Sequence, residues 1–130
     1  MRDVDVRTKQ GKFQQTVAIG PHTFVADEPS ESGGDDAGPA PHEILLAALG
    51  TCTSMTLKMY AERKGMKLER VHVHLAMDKH EGDRTVLKRT VRLEGNLSAE
   101  ERARLLEIAA KCPVHKTLSG KIELPLIEAQ

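Results

Sequence analysis

The chain has 130 residues, 39% of them apolar and 29% charged, which is the size and make-up of one ordinary globular domain over residues 1–130. Lys plus Arg number 19 and Asp plus Glu number 19, so a generally basic nucleic-acid binder and an acidic solvating chain are both excluded. With no Trp, one Tyr (Tyr60) and two Phe (Phe13 and Phe24), a platform for stacked bases is excluded too.

Val4 and Val6 alternate with charged residues, and residues 13–19 and 22–26 are short β-prone runs punctuated by Gly11 and Gly20-Pro21. They predict an N-terminal antiparallel meander. Residues 27–41 are rich in acids, Gly and Pro and carry no large apolar side chain. They read most simply as a long solvated loop, or as a lid beside Glu43.

Pro41 suits the first position of a helix, and Ile44, Leu45, Ala48, Leu49, Cys52, Thr56, Met59 and Tyr60 recur at helical spacing up to a stop at Lys64-Gly65. The helix is therefore expected over 41–64. Residues 44–49 are six consecutive apolar residues, a run that must be buried on nearly every side. One small chain has little material to cover it, which predicts a homodimer. The uncharged stretch 44–57 is fourteen residues long, short of the ~20 apolar residues a bilayer span needs, and the N-terminus has no apolar leader-like run. No membrane partner and a cytoplasmic location are the expectation.

Val71, Val73, Leu75 and Met77 alternate with His72, His74 and Ala76, predicting a strand with one buried face. Residues 78–84 read as its hairpin turn and 85–94 as the return strand, with Leu87, Val91 and Leu93 inward. Ser98 and Glu101 form a capping box that opens a helix burying Leu105, Leu106, Ile108 and Ala109. Cys112-Pro113 then starts a short helix ending at Ser119-Gly120. Ile122, Leu124 and Leu126 predict a last strand, at an edge because of Pro125. The order β-β-β-α-β-β-α-α-β is α+β with antiparallel sheets.

Two cysteines in a reducing compartment are more often reactive or metal-binding than a permanent staple. Cys112 lies just ahead of a helix start, where unpaired N–H groups and the helix dipole favour thiolate, with Lys111, Lys116 and His115 adding positive charge. A small buried apolar residue ending a helix is the equally simple reading. Cys52 is some ten residues into its helix, beyond the reach of the dipole, and by itself reads as a core residue. Cys112-x-x-His115 has metal-ligand spacing, and His72 and His74 share a strand face, so a zinc site is a weaker rival to a solvent-facing His pair.

The segments 41–57, with Cys52, and 112–120, with Cys112, resemble the two cysteine motifs of the OsmC/Ohr family of osmotically inducible and organic-hydroperoxide-resistance proteins. The resemblance covers essentially the whole chain and fits the order of elements. It implies an OsmC-like intertwined homodimer with a long central cysteine-bearing helix. It also implies a thiol-dependent peroxidase in which Cys52 is peroxidatic and Cys112 resolving, acting on an organic hydroperoxide and reset by a dithiol reductant of lipoyl or other type, with no cofactor. The hydroperoxide-resistance branch has a glutamate ten positions before the first cysteine, where this chain has His42. Glu43, nine before, is the matching acid, and a favourable first-turn charge is its simpler reading. The family peroxidases also use an arginine, yet residues 13–41 contain neither Arg nor Lys, and Arg2 and Arg7 match no motif. A non-enzymatic dimer of the same fold, binding a small hydrophobic or thiol-reactive ligand, is the alternative.

Overall fold

The computed structural model describes all 130 residues, in two compact units, Met1–Leu45 and Leu46–Gln130. In the first, strands β1 (Asp5–Thr8), β2 (Gln15–Ile19) and β3 (His22–Ala26) form the expected antiparallel meander, with β2 in the middle. Its buried apolar residues are few, Val17 and Ala26 among them.

The segment after β3 is the expected long, mostly exposed loop, but it is ordered around one buried residue. Asp27 is only 3% exposed, and its carboxylate accepts the backbone N–H groups of Glu28 (2.8 Å), Asp35 (3.1 Å) and Ala37 (3.1 Å). The Asp27 N–H reaches the Pro39 carbonyl, and a single turn of 3-10 helix, Ser30–Ser32, sits inside the fold-back. A composition without apolar side chains holds its shape here through one buried acceptor. Burial alone would push the Asp27 carboxyl up, but the three N–H donors outweigh it and hold it below its ordinary value.

Helix α1 (Pro41–Lys64) has the predicted bounds. Pro41 spends no donor at a position where the N–H would be unpaired. At the other end Gly65 adopts φ +69°, the left-handed conformation that lets Met66 N–H turn back to the Ala61 carbonyl (2.9 Å). At 24 residues α1 is long and apolar enough, by length and composition, to cross a bilayer, which the uncharged stretch alone did not suggest. Its second half is instead a core helix: Leu57, Tyr60 and Ala61 pack with Leu68, Leu105, Ile108 and Ala109. The apolar run is not covered by this chain. Of residues 44–49 only Leu49 is buried, and farther along Met55 and Met59 are 58% and 61% exposed.

Strands β4 (Leu68–Glu81) and β5 (Arg84–Gly95) make a long antiparallel ribbon. The predicted turn over 78–84 is in fact mostly strand. Ladder pairing continues to Glu81↔Arg84, and the turn is only Gly82-Asp83, with Gly82 at φ +57° as a two-residue hairpin requires. A register shift after Met77 ends the clean alternation that made the continuation unreadable. Helix α2 (Ala99–Ala109) opens with the predicted capping box, Glu101 N–H to Ser98 Oγ at 3.0 Å and Ser98 N–H to Glu101 Oε1 at 2.9 Å. Leu105, Ile108 and Ala109 are buried, but Leu106 is 51% exposed because the inward stripe of an eleven-residue helix has no room for two adjacent leucines. Helix α3 (Pro113–Ser119) follows. The expected last strand is absent. Residues 120–130 have no regular structure, and Leu124, Leu126 and Ile127 are 85–97% exposed, with no strand of this chain paired to them.

Candidate functional site

Gly50 of α1 faces the ribbon: a Cβ there would meet the Leu75 Cδ1 of β4 at 2.5 Å. Leu75 stands directly opposite Arg89 in the β4–β5 ladder. Thr53, one helical turn beyond Gly50 and fully buried, meets Arg89, whose Nη1 donates to Thr53 Oγ1 at 2.9 Å.

Three elements converge on Cys112. It is the N-cap of α3 and is wholly buried; the His115 N–H donates to its Sγ at 3.3 Å, and Thr53 Oγ1 of α1 lies 3.7 Å from the same sulfur. Arg89 of β5 donates to Thr53, to the Ala109 carbonyl (3.3 Å) and to His115 Nδ1. A guanidinium has only donors, so His115 Nδ1 must accept, and the ring is held in the tautomer whose proton is on Nε2. Burial alone would push the Cys112 thiol up. The His115 N–H, the Thr53 hydroxyl, the Cys52 thiol and the Arg89 charge, in that order of weight, reverse this and lower it. A cysteine at a helix start with a cation close by is the setting in which thiolate forms.

Cys52 is the neighbour of Thr53 on α1 and is half-buried. Its thiol is close enough to Cys112 to help lower it, although no well-formed hydrogen bond joins the two sulfurs. Both cysteines are free. Glu43 lies in the first turn of α1, exposed, and its Oε1 accepts the Ala40 N–H at 2.8 Å. That bond closes an unpaired donor at the helix start. The residues weighed as a zinc set do not come together: His115 Nδ1 is engaged by Arg89, while His72 and His74 are on the exposed face of β4.

Arg89 and Thr53 were not read from the sequence, and His115, expected as a nearby charge, instead acts on Cys112 through its backbone N–H while its ring engages Arg89. A signal for Arg89 was present. It has the same strand parity as Leu87, Val91 and Leu93, so it is a cation on the apolar face of a strand. A charge there must be paired or hydrogen-bonded, and this one is.

Residues 33–126 match the family of OsmC-like proteins. The chain belongs to that family. Among solved structures it resembles an OsmC-like protein from Mycoplasma pneumoniae at 20% identity, covering 92% of this chain and 88% of that one with a TM-score of 0.73. It also resembles the organic hydroperoxide resistance protein OhrB of Bacillus subtilis (19% identity, 92% and 91% covered, TM-score 0.61). An organic hydroperoxide resistance protein from Legionella pneumophila is similar as well (16%, 92% and 90%, 0.64). No curated protein matches. The α+β architecture with antiparallel strands and a long helix is thus that of the OsmC-like fold, and its relatives include proteins of hydroperoxide resistance.

Proposed function

We propose that this OsmC-like protein is a thiol-dependent peroxidase that reduces organic hydroperoxides through Cys52 and Cys112, in the cytoplasm and as a homodimer. One observation carries the reading: two free thiols share a site in which one is already held toward the thiolate by Arg89, Thr53 and His115. The half-buried Cys52 is the thiol a peroxide can reach. Its sulfur attacks the outer peroxide oxygen, the O–O bond breaks, and the alkoxide leaves as the alcohol after taking a proton; Cys52 becomes a sulfenic acid, oxidised by two electrons. Cys112, buried and biased toward thiolate, then attacks the Cys52 sulfur; the S–O bond breaks and hydroxide leaves with a proton as water. An external dithiol reduces the resulting disulfide by exchange. Glu43 enters as the acidic residue of the site.

The dimer rests on the uncovered apolar surface of α1, with Leu45, Met55 and Met59 exposed on a single chain. The reading is tested with one equivalent of tert-butyl hydroperoxide and intact-mass measurement. Wild-type protein should lose about two hydrogens, as disulfide closure requires. Cys112→Ser should accumulate a trappable Cys52 sulfenic acid, and Cys52→Ser should keep a free Cys112 thiol at the same dose. Two free thiols in peroxide-treated wild type would overturn the proposal.

A further inference from the structure

Charge is distributed unevenly along this neutral chain. Residues 1–45 carry four Lys or Arg against eight Asp or Glu, and residues 46–130 carry fifteen against eleven. The acids of the first unit gather in the loop after β3, where Glu31, Asp35 and Asp36 are exposed and residues 13–41 hold neither Arg nor Lys. None of the three enters an ion pair, and only the Asp35 carboxylate has a side-chain partner, the Gln14 amide at 3.3 Å.

Cations of the second unit gather on the outward face of the β4–β5 ribbon. The ladder pairs there are Arg70↔Glu94, His72↔Arg92, His74↔Thr90 and Ala76↔Lys88, all exposed, while the pairs between them turn Val71, Val73, Leu75 and Met77 inward. Successive outward residues are about 6.8 Å apart along a strand and opposite ones about 5 Å apart. Arg70, Lys88 and Arg92 therefore form one strip whose single acid, Glu94, stands at its end, and none of the three cations enters an ion pair. The next acid, Asp78, drops out of the ladder at the register shift. The strip holds no aromatic and no apolar side chain larger than Ala76, so it offers nothing for base stacking or insertion into a bilayer. Arg89, opposite Leu75, belongs to the inward set, so the strip faces away from the thiol site.

We propose that this strip docks the acidic loop, residues 28–36, of a second copy of the chain, in a head-to-tail contact separate from the apolar contact of α1. Each copy carries both halves of the contact, and zero net charge leaves no long-range repulsion between copies. A nucleic acid or an anionic bilayer would bring its charge against the acidic first unit as well as to the strip. Single exposed ion pairs are weak, so the contact depends on several acting together and fades as salt screens them. An apolar contact through α1 is not weakened by salt, which keeps the two associations distinguishable.

The test is sedimentation equilibrium of the full-length protein in about 10 mM and about 1 M salt, where screening lengths are ~30 Å and ~3 Å. The average mass at low salt should exceed that at high salt by at least about twofold and rise with protein concentration, as a head-to-tail contact requires. Lys88→Glu with Arg92→Glu, and separately Glu31→Lys with Asp36→Lys, all at exposed positions, should each remove the difference while melting like the wild type. An equimolar mixture of the two variants should restore it, because each supplies the charge that the other's reversed patch needs. Lys67→Glu with Lys121→Glu, an equal change of charge elsewhere on the exposed surface, should keep the salt-dependent association. So should Cys52→Ser with Cys112→Ser, whatever becomes of the peroxidase reading. One mass at both salts in the wild type, a mixture that does not recover the difference, or its loss in the Lys67 and Lys121 variant would each overturn the assignment. Binding of a labelled single-stranded oligonucleotide at low salt, tighter than self-association, would overturn it in favour of phosphate recognition.

Discussion

Each of the two units buries a titratable group whose charged form is favoured by donors, and satisfies it in a different way. Asp27 takes three N–H bonds from backbone within ten residues of itself, so the carboxylate organises one local fold-back and nothing else. Cys112 gathers a backbone N–H from its own helix, a hydroxyl from α1 and a guanidinium from β5, up to 59 residues away. In both, burial works against the charged form and donors win. The difference lies in what the donors cost to assemble. Local donors can hold a shape on their own, whereas distant ones exist only when the core is complete, and they surround a nucleophile instead of a structural anion.

Breaking the long-range arrangement should have the largest effect. Arg89→Ala removes donors to Thr53, the Ala109 carbonyl and His115, and hydrogen bonds to charged groups contribute about 1.5–3 kcal/mol each. The melting temperature should fall, and disulfide formation with peroxide should slow by an order of magnitude or more. In a Cys52→Ser background, thiolate absorbance reports Cys112 alone. Its thiol should ionise below its ordinary value, and Arg89→Ala should move the midpoint upward. Thr53→Val, which removes a donor that outweighs the guanidinium charge, should move it in the same direction by at least as much. An unmoved midpoint in Arg89→Ala would separate the guanidinium from the thiol chemistry.

Breaking the local arrangement should leave that chemistry intact. Asp27→Ala orphans the Glu28, Asp35 and Ala37 N–H groups and should make residues 28–38 sensitive to limited proteolysis, with the Cys112 midpoint unchanged. Because the folded carboxyl is held below its ordinary value, its stabilisation is complete above about pH 3.9 and is lost as pH falls through the lower, folded value. Proteolysis of the same segment should therefore rise only in strong acid in the wild type. A midpoint that shifts with Asp27→Ala would show that the two groups are not independent.

The smallest effect separates two roles for one residue. Glu43→Gln keeps an acceptor for the Ala40 N–H and loses only the first-turn charge, worth about 0.3–1 kcal/mol. If Glu43 belongs to the peroxide site, turnover should fall several-fold at nearly unchanged melting temperature. A small stability loss with full turnover would leave it a helix-start charge alone.

Elements whose signals sit within a few residues were legible in advance. The meander, both bounds of α1, the Ser98–Glu101 box and the Cys112-Pro113 helix start all depend on local dihedral preference, capping and spacing. The placement of Cys112 as the N-cap of α3 was legible on the same ground. What the sequence left open was whether a second element would reach that thiol. Arg89 has the parity of an apolar position, but nothing local says that Thr53 and His115 meet it there; that follows from the packing of α1, at Gly50, on Leu75, the residue opposite Arg89. The alternation of Ile122, Leu124 and Leu126 shows the converse. Alternation states only that a strand would have two faces, and a strand forms when another backbone supplies the hydrogen bonds, which no element of this chain does. Asp27 went unread for a related reason: the composition of its segment points to a mostly solvated loop, which it is, while the three donors of Asp27 become visible only once the segment has folded back on itself. Residue identity determines what a group can donate, accept or bury, and only the packed chain decides which partners arrive.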